Sequence, residues 1–355
     1  VTDFLTEVKN ATLALFNFKG IINISDDSFS WWADDTRQTL NFSLITLTNN
    51  APAVEIKICT DFIRDCKSTN YHWETLLRDT TLAGLVRNSD NPQKIQFASK
   101  LIITQEHRSE LCTLAFWVSI LQMSESVMYK ELAPTYLLAA PDTSTPVNTS
   151  PSVTSQFVFD IVDQQLRPLE DKASKFAGIN MSNQVQAIQS PPTVLANGDK
   201  NGFVSELPFI GRTSLVGFYT NDSHPRVGNG LLATIKIPGQ HEDITDLALV
   251  LNEKEFALSG NVFLGSWCRT TAGHLCFASY YPNTAHFNGI IPYIYNAFVA
   301  KAQWIAEFSG DNWKNGGINR AVKNKERRNF ERLMSALTTQ IKTKLTKKNN
   351  PNRNN

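Results

Sequence analysis

The side chains best suited to chemistry in this chain of 355 residues are few. Cys268, His274 and Cys276, with His286 nearby, offer thiolate and imidazole, a ligand set that suits zinc. The two cysteines are also centred on a turn signal, Thr270-Thr-Ala-Gly273, so a hairpin would set them opposite each other. A metal site, a disulfide and two plain thiols all fit that placement, and plain thiols are the favoured reading. A second cluster is Asp26-Asp27 and Asp34-Asp35, flanking Ser28-Phe-Ser-Trp31-Trp32-Ala33. Its carboxylates could take calcium, and its tryptophans could grip a sugar or a partner. The Asp-x-Asp-x-Asp spacing of a calcium loop is missing, which favours aspartates that cap turns and tryptophans that enter a core.

The other chemistry-bearing stretch is the C-terminal arm. From Ile318 onward eleven Lys and Arg face two Glu, while the whole chain has a net charge of only +1. The body is therefore mildly acidic and the arm strongly basic, which predicts that the arm meets a polyanion or an acidic surface. Phe330, Leu333, Met334, Leu337, Ile341 and Leu345 recur at helical spacing and form one apolar stripe. Arg327, Arg328, Arg332, Lys342, Lys344, Lys347 and Lys348 occupy much of the rest of that helix. The stripe (Phe330, Leu333, Leu337, Ile341) would dock on a subunit, and the basic side chains would contact RNA or a partner. An anionic membrane is a third reading. The arm lacks interleaved Tyr and Trp, so any RNA contact would run through phosphates and ignore sequence.

No nucleophile elbow, phosphate-binding loop, His-Glu-x-x-His, EF-hand or dinucleotide fingerprint occurs. The expectation is a protein that is not an enzyme and takes no cofactor. Five cysteines, an odd count without Cys-x-x-Cys spacing, make neither a disulfide framework nor a zinc pattern and favour a reducing compartment. Six Asn-x-Ser/Thr sequons (at Asn10, Asn23, Asn41, Asn148, Asn180 and Asn221) are no more than a chain this rich in Asn, Ser and Thr produces by chance. No apolar run reaches the roughly 20 residues that span a bilayer. The opening Val1-Thr-Asp-Phe shows no leader and no initiator Met, as expected after release from a precursor or removal of a leader.

The elements that must carry these residues divide at Ala140 to Ser155, a Ser/Thr/Pro-rich strap predicted to be extended and exposed. Residues 1–140 read as one β-sandwich, 141–155 as linker, 156–315 as a second sandwich and 316–355 as the helical arm. In the first half the pattern predicts strands at Leu13–Ile24, Thr39–Thr48, Val54–Ile58, Lys94–Thr104, Leu111–Leu121 and Met128–Leu138, with a short helix at Tyr71–Arg87. Val54, Ile56 and Ile58 alternate with charges, as in a strand buried on one face. The second half predicts a short helix within Asp163–Phe176. Strands follow at Phe203–Ile210, Ser214–Tyr219, Leu231–Ile237, Leu247–Leu251, Glu255–Trp267, Leu275–Tyr281 and Ala297–Phe308. The fold class expected is all-β, two antiparallel sandwiches with a C-terminal amphipathic basic helix.

Taken together, two Asn/Ser/Thr-rich β-halves, a Ser/Thr/Pro strap, a start that is not Met and a basic tail resemble the coat proteins of picorna-like RNA viruses. Phrases such as Ala278-Ser-Tyr-Tyr-Pro282 and Pro191-Pro-Thr-Val194 add to that likeness. The specific likenesses are the comovirus large subunit and insect-virus coats of the Nora-virus kind. The resemblance implies jelly-roll sandwiches cut from a polyprotein and a structural subunit of an icosahedral capsid that encloses RNA. Its partners would be copies of itself, sister capsid proteins, genomic RNA through the arm and a host receptor. Its location would be the virion, assembled in the host cytoplasm. A secreted or surface adhesin that binds carbohydrate or a receptor is the alternative, and a carbohydrate-active enzyme on a β-sandwich a third reading.

Overall fold

The computed structural model describes residues 2–18, 23–47, 50–65, 79–88, 90–91, 93–136, 140–144, 153–165, 173–177, 193–196, 202–209, 212–237, 244–270 and 274–312. Two antiparallel sheets dominate it, as the strand patterns predict. The first half runs α1 (Thr2–Leu15), β1 (Asn23–Ile24), β2 (Ser28–Ala33), β3 (Thr36–Thr46), β4 (Pro52–Asp65), β5 (Gly84–Arg87), β6 (Ile95–Thr104) and α2 (Arg108–Tyr136). After β7 (Ala140–Pro141) and α3 (Ser155–Gln165), the second half runs β8 (Thr193–Ala196), β9 (Gly202–Phe209), β10 (Arg212–His224) and β11 (Gly228–Ile237). It ends with α4 (Ile244–Ala257), β12 (Ser266–Arg269), β13 (Leu275–Pro282) and α5 (Ile290–Asn312).

The strand orders are β1-β2-β3-β4-β6-β5 and β8-β9-β10-β11-β13-β12. These are one order written twice. In each half a four-strand meander is followed by two further strands, of which the second inserts beside the fourth and leaves the first at the edge. In each, a single turn of 3-10 helix (Gln105–His107, Asn283–Ala285) then leads into a long helix. Sequence identity between the halves did not reveal this correspondence; strand order does.

Six segments expected to be strands are wholly or partly helical. Leu111–Leu121 and Met128–Tyr136 belong to α2, Leu247–Leu251 and Glu255–Ala257 to α4, and Ala297–Phe308 to α5. Leu13–Leu15 ends α1, and only Asn23–Ile24 of that expected strand is a strand. The reason is burial on more than one side. Leu111, Leu114, Ala115, Val118 and Leu121 lie at helical spacing under β3, β4 and β6, while α1 and α3 cover other sides of α2. An apolar run covered that way loses the polar stripe that marks a surface helix, and its period becomes ambiguous. By length and composition the helical stretch Gln105–Glu131 could cross a membrane, against the expectation from sequence, but it is mostly buried within the fold. In α5, Ile291, Ile294, Tyr295, Phe298, Val299, Ala302 and Ile305 form the buried stripe against β9, β10 and β11. Conversely Gly84–Arg87, expected as helix, is strand β5, and the predicted helix after Asp163 lies earlier, as α3. Residues 71–78 lie outside the described residues.

The sheets are meanders whose faces carry α1, α2, α4 and α5, and among the described residues no strand passes from one sheet to the other. Apolar packing is continuous through both halves. In the first, Phe16 and Phe18, just after α1, join Phe29 and Trp31 of β2, Phe116 of α2 and Phe157 of α3 through edge-to-face and tilted contacts with centroids 5.2–5.8 Å apart.

The strap is not free where it is described. Ala140–Pro141 pairs with the end of β4, the Asp142 N–H donates to Phe62 O (2.9 Å), and Ser144 N–H donates to Asp35 O (2.8 Å). Asp142 is buried and ion-paired with Lys94 at 3.0 Å. Val153 lies beside Ala33 and accepts from Asp34 N–H at 2.8 Å. The end of β4 runs past its pairing with β6 and offers unpaired main chain, which the strap's polar backbone satisfies. Residues 145–152 lie outside the described residues.

Candidate functional site: a charged joint between the halves

The predicted site residues do not gather. Cys268 and Cys276 stand directly opposite each other across β12 and β13, both buried and neither in a disulfide. His274 closes that hairpin, exchanging bonds with Thr270: Thr270 N–H to His274 O at 2.9 Å and His274 N–H to Thr270 Oγ1 at 3.0 Å. His286 instead packs edge-on against Phe176, where burial and the nearby Lys175 lower its pKa. Among the described residues no group of three or more His, Cys, Asp or Glu could hold a metal. The aspartate cluster is a set of turn and cap contacts. Asp34, at φ +50°, accepts from Ser155 N–H (2.9 Å) at the start of α3, and Trp31 and Trp32 are buried. All seven basic arm residues and the whole apolar stripe lie outside the described residues.

What the structure does bring together is a set of buried charges where the two halves meet. Gly84 of β5 pairs with Ala98 of β6, and there β5 begins; two residues farther along β6, Lys100 pairs with Phe263 from the other half. Lys100 N–H donates to Phe263 O (2.7 Å) and Phe263 N–H to Lys100 O (2.8 Å). On the other side Tyr280 N–H of β13 donates to Thr81 O, just ahead of β5, at 3.0 Å. The surfaces fit closely: a Cβ at Gly84 would lie 2.5 Å from the Phe263 ring and 2.9 Å from Gly265 O. Gly265 itself needs φ +124°, a conformation natural only to glycine.

Around this pairing lie two clusters. In the first, the fully buried Lys100 Nζ donates to Phe256 O (2.8 Å), Glu255 O (3.4 Å) and Leu258 O, where the orphan carbonyls of α4 end. Glu55 accepts from Gly260 N–H (2.8 Å) and Glu255 from Trp267 Nε1 (2.8 Å), and Lys301 pairs with Glu255. Burial pulls the Lys100 amine down to about 7, against the pull of Glu55. Burial, with Lys100 nearby, also holds Lys301 well below its ordinary value. Lys301 sits over the Phe277 ring, 3.9 Å from its centroid.

In the second cluster Glu125 of α2 gathers three donors on one oxygen: Thr81 N–H (2.8 Å), Thr81 Oγ1 (2.7 Å) and Arg226 Nη2 (3.0 Å). Arg226 reaches in from the other half, also donates to Asp79 O (2.5 Å) and lies over Tyr129 with 5.5 Å to the ring centroid. Burial raises the Glu125 pKa in spite of Arg226, and burial next to Arg226 pushes His224 down to about 4.

Sequence reading missed this joint, although its signal is present. Lys100, Glu125 and Lys301 are single charges inside strongly apolar stretches, and a charge that enters a core must be paired there. At the joint Lys100 caps a helix, Glu125 binds a loop and an arginine, and Lys100, Glu125 and Lys301 are each almost wholly withdrawn from solvent. No protein-family model, no curated protein and no solved structure matches this chain.

Proposed function

We propose that this protein is a structural subunit of a larger assembly, with a virus shell built from copies of itself and sister chains as the specific form. The supporting observation is the joint: its buried charges are committed to holding two sheet-and-helix halves as one block, the property a building unit needs. The meander order counts against the jelly-roll form of that expectation and leaves the role of an assembling subunit intact. On this reading the basic arm supplies the contacts that a single block lacks. Its stripe (Phe330, Leu333, Leu337, Ile341) docks on a neighbour, and Arg327, Arg328, Arg332, Lys342, Lys344, Lys347 and Lys348 neutralise phosphates of enclosed RNA.

The test is sedimentation of the full chain with and without RNA, beside a variant in which those seven basic residues are Gln. The reading expects large particles whose RNA content falls steeply with salt and is lost in the variant. A full chain that sediments as a monomer under all these conditions refutes it.

A further inference from the structure

We infer that the chain is two copies of one module joined as the subunits of a homodimer join, so that the joint is a module–module binding surface whose partner is a module of the same build. Strand register gives the equivalence position by position. Gly84 faces Ala98 in the first half as Ser266 faces Ala278 in the second. Two residues beyond lie Lys100 and Tyr280; three residues before lie Thr81 and Phe263. The joint connects these same four positions crosswise, Phe263 with Lys100 and Thr81 with Tyr280. The residues leading into the short strand of each half thus fill the vacant place beside the inserted strand of the other. When position i of one unit meets position j of its partner and j meets i, the contact is isologous, the arrangement of a two-fold dimer.

The contact also has the chemistry of strand addition, in which main-chain bonds supply a generic attachment and side chains select the partner. The three bonds at the four positions are all main-chain. Selection comes from side chains that differ at equivalent places. Lys100 Nζ runs across the joint to the end of α4, whereas Tyr280 OH stays within its own half, donating at 2.9 Å to Asp222 O. Arg226 to Glu125 is a second crossing bond. This asymmetry makes the first half prefer the second over another copy of itself. The inference stands apart from the assembly reading, since a strictly monomeric protein could still be built this way.

The experiment places a protease site at Pro168, between α3 and residue 173, in the full chain. The protein is prepared with natural and with 15N nitrogen, cleaved after folding, and the two preparations are mixed and followed by native mass spectrometry. Expected are 1:1 complexes of the two fragments that trade partners, giving mixed-isotope species without any denaturant. Gly84→Val, whose side chain would meet Phe263, should speed that exchange about tenfold or more, as interface changes act mainly on dissociation. Fragments that precipitate on cleavage, or that never exchange short of unfolding, would overturn the inference and show one indivisible core. Exchange that is equally fast in Gly84→Val and the parent would overturn the assignment of the joint as the binding surface.

Discussion

Lys100, Glu125 and Arg226 carry the account at the level of single residues. Removing one partner of a buried charge cluster leaves the others desolvated and unpaired, which typically costs about 2–5 kcal/mol. Lys100→Ala should fall in that range in chemical denaturation, because three carbonyls at the end of α4 lose their donor. Glu125→Gln and Arg226→Met should each destabilise, and their double-mutant cycle should show a coupling of about 1–3 kcal/mol; additive effects would mean that the pair does not bridge the halves. Two pH windows follow. His224 titrates at about 4 in the fold against an ordinary 6.5, so the unfolded chain binds the extra proton between those values. Stability should therefore fall as pH drops from 6.5 towards 4, and His224→Gln should flatten that fall. Lys100, at about 7 against 10.5, gives a gain in stability as pH rises through that interval, and Lys100→Met should abolish it. Both are read from denaturation midpoints across pH.

Among elements, β4 and α2 show what the pattern revealed and what it concealed. Val54, Ile56 and Ile58 are buried on the face the alternation predicts, and β3, β6, β9, β10, β11 and β13 also lie where strands were expected. The opposite face of β4 was expected to meet water, yet Glu55 is buried there because the other half lies on it. Long-range packing of that kind leaves no local periodicity. The same packing hid α2 and α5, whose described residues are buried on more than one side. Cys268 and Cys276 face each other as a hairpin reading predicts, whereas the basic arm falls in residues the structure does not describe. The joint makes its own demand on an element: Gly84→Val drives a side chain into Phe263 and Gly265 O and should cost about 1–3 kcal/mol or more, measured as a lower melting temperature. A mutant as stable as the parent would mean that β5 does not touch the second half.

For the whole molecule, the picture is a block of two halves with one strand order, held together by main-chain pairing and buried charge. On the reading proposed above, that block is the building unit of a larger assembly. The measurement that bears most directly on this is the size of the native protein, by light scattering and negative-stain microscopy over a range of salt and protein concentrations. The account predicts particles on the order of tens of nanometres across, held by interfaces of standard size repeated many times. A single 39.7 kDa species at every concentration and salt would contradict it.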